Sequence, residues 1–202
     1  MRAESLSMAD GQAVVDALLA RQSVPVPQLS APGPTQAQID AALAAALRAP
    51  DHGQLLPWRF RLIRGEARRQ LSDLLVRAAL ARDPQTPAPQ LERFRNTPLT
   101  APLGIAVGAA LQQHRKVPEI EQLLSVGAAV MNLLNAFQAQ GFGAIWLTGP
   151  NSYDPAVARA LGFGPGMRHL GFVYVGTPQA RAAARERSEP PGYVSDWLGP
   201  EG

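Results

Sequence analysis

Reactive side chains are sparse in this 202-residue sequence, and their spacing excludes more chemistry than it suggests. There is no cysteine. Disulfides, thiolate nucleophiles, zinc–thiolate sites and cysteine-held iron–sulfur clusters are therefore ruled out. The three histidines, His52, His114 and His169, do not stand at metal-ligand spacing to one another. No Gly-x-Gly-x-x-Gly follows an expected strand, no phosphate-binding Gly-Lys-Ser/Thr loop occurs, and no Gly-x-Ser-x-Gly elbow is present. Gly162, Gly164 and Gly166 follow a short helix and read as a turn.

Three stretches remain in which residue type and position are unusual. The first runs from Ala49 to Trp58, where a helix end is followed by Asp51-His52-Gly53 and then Pro57-Trp58. By spacing alone this is a turn next to a core tryptophan. The second is Gly141 to Pro150, which alone reads as a helix cap and a buried strand. The third is Arg21-Gln22-Ser23 at the end of the first helix, where an arginine complements the helix dipole even with no ligand.

The elements that must carry these stretches can be read from hydrophobic period. Val14, Val15, Leu18 and Leu19 make a helical stripe over residues 8–22. Four prolines between Pro25 and Pro34 predict an irregular, exposed loop. Thr35 and Gln38 form a capping box for a helix that ends near Arg48, before Pro50. Residues 59–63 read as a strand and 66–82 as a helix. Residues 83–89 read as a proline-rich connection, and 91–96 as a short helix. The unbroken apolar run 103–111 predicts a strand covered on both faces. Pro118 opens the longest helix, with Gly141 as its cap and apolar residues around most of its circumference, so a large core or a partner must cover it. Strands at 144–147 and 170–175 flank a short helix with Asp154 as N-cap. The expected result is an α+β, three-layer α/β/α fold with a central mixed, mostly antiparallel sheet. A single domain spans 1–202, with residues 1–10 and 180–202 as extended tails.

Composition narrows the function class. Hydrophobic residues are 46% and charged residues 17%, ordinary for a globular domain. The net charge is +3, the arginines are scattered, and Lys116 is the only lysine. Nothing here resembles the interleaved basic and aromatic stretches of nucleic-acid binders. No signal-peptide pattern opens the chain and no apolar run reaches membrane-span length, which gives a cytoplasmic expectation.

Taken together, Arg21-Gln22-Ser23, Arg48 to His52 with Pro57-Trp58, and Gly141 to Trp146 resemble the flavin nitroreductase family, and within it a short bacterial branch of NAD(P)H nitroreductases. His114 to Pro118 and Gly171 to Gln179 fit the same branch, so the likeness runs from about residue 12 to 179. The resemblance implies an intertwined homodimer with non-covalent FMN at the subunit interface, NAD(P)H as co-substrate, and a nitroaromatic, quinone or similar acceptor. It implies that Arg21, Gln22 and Ser23 hold the phosphate and ribityl end. Arg48, His52 and Leu56 would reach the flavin from the neighbouring subunit, and Trp146, Leu147 and Thr148 would line it. The flavin carries the chemistry, so no protein acid–base dyad is implied. The chain departs from the family at Gln22, Leu56 and Leu147, where an arginine, a polar residue and an arginine are usual. The departures at Gln22 and Leu147 leave open a flavin-storage protein on the same fold, and the long apolar helix by itself leaves open a helical dimeric interaction protein without cofactor.

Overall fold

The apolar run that anchors the sequence reading becomes strand β3 (Leu103–Ala110), and all eight of its residues are buried. In the computed structural model, which describes residues 8–180 and 192–199, β3 lies between β2 (Trp58–Ile63) and β5 (Met167–Pro178). Strand β4 (Gly143–Leu147) pairs with β5, and the two-residue β1 (Leu29–Ser30) pairs with its end at Thr177 and Pro178. Every ladder among the described residues is antiparallel. β4 and β2 therefore lie on opposite sides of the β5–β3 pair.

Period-two alternation divides the core between the two sheet faces. Leu103, Ile105, Val107 and Ala109 of β3, with Val173 and Val175 of β5, pack on helices α2 (Gln36–Ala46) and α5 (Glu119–Ala139). Ala106, Phe172 and Tyr174 point the other way. They meet α3 (Ala67–Arg82), α4 (Ala88–Thr100) and the short α6 (Pro155–Ala160) through Leu71, Leu75, Phe94 and Val157. This is the expected three-layer arrangement. Each fully buried Leu, Val or Phe contributes roughly 1.5–3 kcal/mol.

Local chemistry sets several element ends as expected. The Thr35–Gln38 capping box is present in full. Asp154 caps α6 by accepting from the Ala156 and Val157 amides. Gly141 follows α5 at φ 85°, a left-handed conformation that glycine adopts without penalty. The first helix, α1 (Met8–Leu19), stops three residues short of Gln22. Residues 181–191 of the expected C-terminal tail lie outside the described residues, and residues 193–198 are exposed.

Four expectations need correction. The proline-rich stretch 25–34 is exposed at Pro25, Pro27 and Pro32 as expected, but it is not wholly irregular: Val26 and Leu29 are buried, and it contains a 3-10 turn (Val26–Gln28) as well as β1. The prolines lie at the sheet edge, where a missing N–H costs little, while the intervening apolar side chains turn inward. The short helix at 91–96 is the centre of the 13-residue α4, which takes in part of the preceding connection. Prolines in the first turn of a helix give up only a donor that would be unpaired anyway. The helix also runs on through buried Pro98, where packing outweighs the local preference. Strand β5 is twice the expected length because three other strands pair along it. Finally, α5 is long and apolar enough to cross a membrane by length and composition. Its burial of Val126, Val130, Leu133 and Phe137 against the sheet accounts for that composition as core.

Candidate functional site

Strand β4 carries the first half of the candidate site. The Val24 amide donates to the Ala144 carbonyl at 3.0 Å, so the chain immediately after Arg21-Gln22-Ser23 meets β4. Register fixes the next step. Trp146 pairs with Val173 and Leu147 with Phe172, so their side chains leave opposite faces of the sheet. Trp146 remains 37% exposed, and its Nε1 donates to the Leu170 carbonyl at 2.9 Å. Leu147 and Thr148 instead line a cavity of about 350 Å³ between β4, β5 and α4.

The floor of this cavity is apolar and aromatic, from Leu75, Phe94, Phe172 and Tyr174. Burial pushes the Tyr174 hydroxyl well above its ordinary range, so it stays protonated. The rim is polar: Gln90, Arg93 and Thr97 of α4 face Ser152 and Asn151 of the loop after β4. The Arg93 guanidinium has no hydrogen bond or ion pair among the described residues. Asn151 is held from behind, its Oδ1 accepting from Arg82 at 2.7 Å, and Arg82 also pairs with Asp154. Burial opposes ionisation of Asp154, but hydrogen bonds from Arg82 and the Ala156 and Val157 amides outweigh it and hold its carboxyl below the usual range.

The second half lies at the other side of the sheet. Between α2 and β2 the chain makes a tight turn in which Gly53, Gln54 and Leu56 have φ of 76°, 53° and 50°. For Gln54 and Leu56 this left-handed geometry costs about 1–2 kcal/mol each. Cross-links hold it in place: the Leu56 amide donates to Asp51 Oδ2 at 2.7 Å, Gln112 Nε2 to the Leu55 carbonyl at 2.7 Å, and Arg59 to the Leu56 carbonyl at 2.8 Å. His52 Nδ1 lies 2.7 Å from Glu121 Oε2 in the first turn of α5. Arg48, His52 and Leu56 are all exposed, while Trp58 is a core residue. A strained turn on exposed polar side chains is where a binding role is to be sought.

The structure thus ties Val24, next to Ser23, to β4 at Ala144, two residues before Trp146, and leaves Arg48, His52 and Leu56 across the sheet. Two strands intervene, a separation of about 14 Å at ordinary strand spacing. None of Arg21, Arg48 and His52 lines the cavity that Leu147 and Thr148 enter. The other two histidines are structural. His114 Nδ1 accepts from the Lys116 and Val117 amides, and buried His169 sits between Phe163 and Phe172. Sequence reasoning missed Gln90, Arg93 and Thr97. Their i, i+3, i+7 spacing is a polar helical stripe, legible once α4 is given its full length.

A further surface bears on the site. On α5, Ile120, Leu124 and Met131 are 60%, 64% and 42% exposed, an apolar stripe at i, i+4, i+11 on the face away from the sheet. On α1, which packs against α5 through the Gln138–Ala17 hydrogen bond, Val14, Val15, Leu18 and Leu19 are exposed as well. Exposed apolar side chains clustered on a helix face are a mark of an interaction surface.

This fold and these motifs define a class. The Nitroreductase family pattern matches residues 20–177, and the chain belongs to that family. It is 41% identical over 156 residues to the Escherichia coli protein named "Putative NAD(P)H nitroreductase YdjA", an alignment covering 77% of this chain and 84% of that one. A Haemophilus influenzae protein of the same functional name is 35% identical over the same shares of each chain. Among solved structures, a nitroreductase-like family protein from Bacillus cereus superposes with a TM-score of 0.79 at 19% identity, over 98% of this chain and 100% of that one. A Bacteroides fragilis nitroreductase with bound FMN superposes with a TM-score of 0.69 at 20% identity, over 91% and 98%.

Proposed function

We propose that this chain is an FMN-dependent NAD(P)H oxidoreductase that works as a homodimer in the cytoplasm. The reading rests on one observation: the segment after Ser23 meets β4 while the Arg48–Leu56 turn lies on the opposite side of the sheet, and α1 and α5 carry exposed apolar side chains that a second copy could cover. A second copy seated there would cover them and bring its Arg48–Leu56 turn to this chain's β4 edge. The family membership and the FMN in the Bacteroides fragilis structure support the reading.

The residues fit the group in kind, with Arg21, Arg48 and His52 lying outside the cavity that Leu147 and Thr148 line. The cavity beside Leu147 and Thr148 has an aromatic floor and a few polar groups at its rim, as cofactor pockets of about 300–1,000 Å³ do. Unpaired Arg93 at that rim suits the polar edge of a flavin ring and would favour its anionic reduced form. Arg21 and Ser23 would grip the phosphate, Arg21 through paired N–H donors, with Gln22 contributing an amide where the family usually has a cation. Arg48, His52 and Leu56 would close the site from the other subunit, and Trp146 would meet the flavin from the opposite face of β4 to Leu147.

FMN held there would supply the redox chemistry, hydride uptake from NAD(P)H and delivery of reducing equivalents to an electron-poor acceptor such as a nitroaromatic or quinone. The protein binds, orients and shields. One open cleft serves both substrates in turn, which predicts ping-pong kinetics. Leu56, 57% exposed on its strained turn, would present an apolar wall to the acceptor.

The test is an absorption spectrum of the purified protein, then anaerobic NAD(P)H addition and an acceptor. A flavin spectrum that bleaches and is restored by a nitroaromatic or quinone is expected. Bleaching without acceptor turnover would point instead to flavin storage. Protein that remains colourless after incubation with FMN would overturn the proposal.

A further inference from the structure

The carboxylate at the N-terminal turn of α5 has no part in the flavin site as described so far, yet it touches a residue that does. His52 Nδ1 and Glu121 Oε2 are 2.7 Å apart, across 69 residues of sequence. An ionised carboxylate has only acceptors to offer. The proton of the contact must therefore sit on Nδ1, whether the imidazole is neutral or charged. Nε2 is then the only ring nitrogen left to meet another group.

We infer that Glu121 is a positioning residue: it holds the His52 proton on Nδ1 and presents Nε2 to the flavin side of the site. This rests on the proposed function for the role of His52. The setting supports more than a tether. The turn carrying His52 is already fixed by Asp51, Gln112 and Arg59, each through a backbone group of residues 55 or 56. None of those contacts touches the imidazole, so Glu121 alone among the described partners sets its ring. Glu121 also lies between Ile120 and Leu124 of the exposed stripe, so the carboxylate sits at the margin of the proposed subunit interface. Docking of a second copy would exclude water from the pair and strengthen it. A ring so held offers an acceptor at Nε2 when neutral and a donor when charged, always in one direction.

The test reads the ring directly, by long-range proton–nitrogen correlation on ¹⁵N-labelled full-length protein, with His52→Gln identifying the resonance. In the wild type, neutral His52 should be the Nδ1–H tautomer. Glu121→Gln keeps an acceptor oxygen and should keep that tautomer. Glu121→Ala should lose it in favour of Nε2–H, with the backbone amides of residues 54–56 unchanged. Addition of FMN should shift the wild-type Nε2 resonance. A wild-type Nε2–H tautomer, or a tautomer indifferent to Glu121→Ala, would overturn the positioning role. A tautomer that obeys Glu121 while Nε2 ignores FMN would overturn the flavin-site assignment of His52 instead.

Discussion

The imidazole of His169 stacks on the ring of Phe163, with centroids 5.5 Å apart and planes 24° from parallel. The ring is 5% exposed, and its Nε2 donates to the Gly171 carbonyl at 3.1 Å. Burial lowers its pKa from 6.5 to about 4, with the Gly171 contact opposing that in part. The folded protein thus resists a proton that the unfolded chain accepts. Stability should be unaffected by this group above the unfolded value and should fall with pH between about 6.5 and 4, by up to about 3 kcal/mol. Urea midpoints against pH for the wild type and His169→Phe should differ in slope over that window. Parallel slopes would remove His169 as the cause.

Packing around the same ring predicts a second outcome. A Cβ on Gly108 would lie 2.4 Å from Phe163 Cε1. Gly108→Ala should therefore destabilise the fold by about 1–3 kcal/mol, the usual cost of overpacking. Combining it with Phe163→Leu should cost less than the two separate effects added together, in chemical denaturation. Strict additivity would show that the clash is relieved elsewhere.

Asp154 caps α6 and pairs with Arg82, which also orders Asn151 at the cavity rim. Asp154→Ala should cost about 1–3 kcal/mol, from a lost cap and a lost charge-assisted bond. Its carboxyl is held below the usual range. The stabilisation should thus persist at neutral pH and fade only as acid titrates the folded-state group. The difference in denaturation midpoint between wild type and Asp154→Ala, followed from pH 7 downward, should shrink accordingly.

If a second copy covers α5, a charge in that stripe must disrupt it. Leu124 is 64% exposed in the single chain, so Leu124→Glu should leave the subunit fold intact. We expect sedimentation to report a monomer and FMN affinity to fall tenfold or more, at least about 1.4 kcal/mol. A flavin-loaded dimer in this variant would exclude α5 as the interface.

Arg21→Ala should weaken FMN binding by about 1.5–3 kcal/mol, the range for a hydrogen bond to a charged group. Flavin titration of the apoprotein measures it, and Arg93→Ala in the same assay tests the cavity rim. An unchanged affinity would take the substituted arginine out of the site.

Much of the frame was written locally. The Thr35–Gln38 box, the Asp154 cap, Gly141 at φ 85° and the all-apolar run of β3 each act within a few residues, so one sequence suffices to place them. The motifs at Arg21–Ser23, Arg48–Trp58 and Gly141–Trp146 sufficed for the family as well. The extent of α4 was not legible: prolines at 87, 89 and 98 argue against a helix until α3 and the sheet reward its packing.

The amino-acid order alone determined which faces are apolar and where the capped helices α2 and α6 begin, because those depend on period and caps. Only the tertiary structure decided that Leu147 enters a cavity with Arg93 while Trp146 turns to the opposite face, since that follows from the β4–β5 register. It alone also set Glu121 against His52, because a helix and a turn 69 residues apart meet only when both pack on the same sheet.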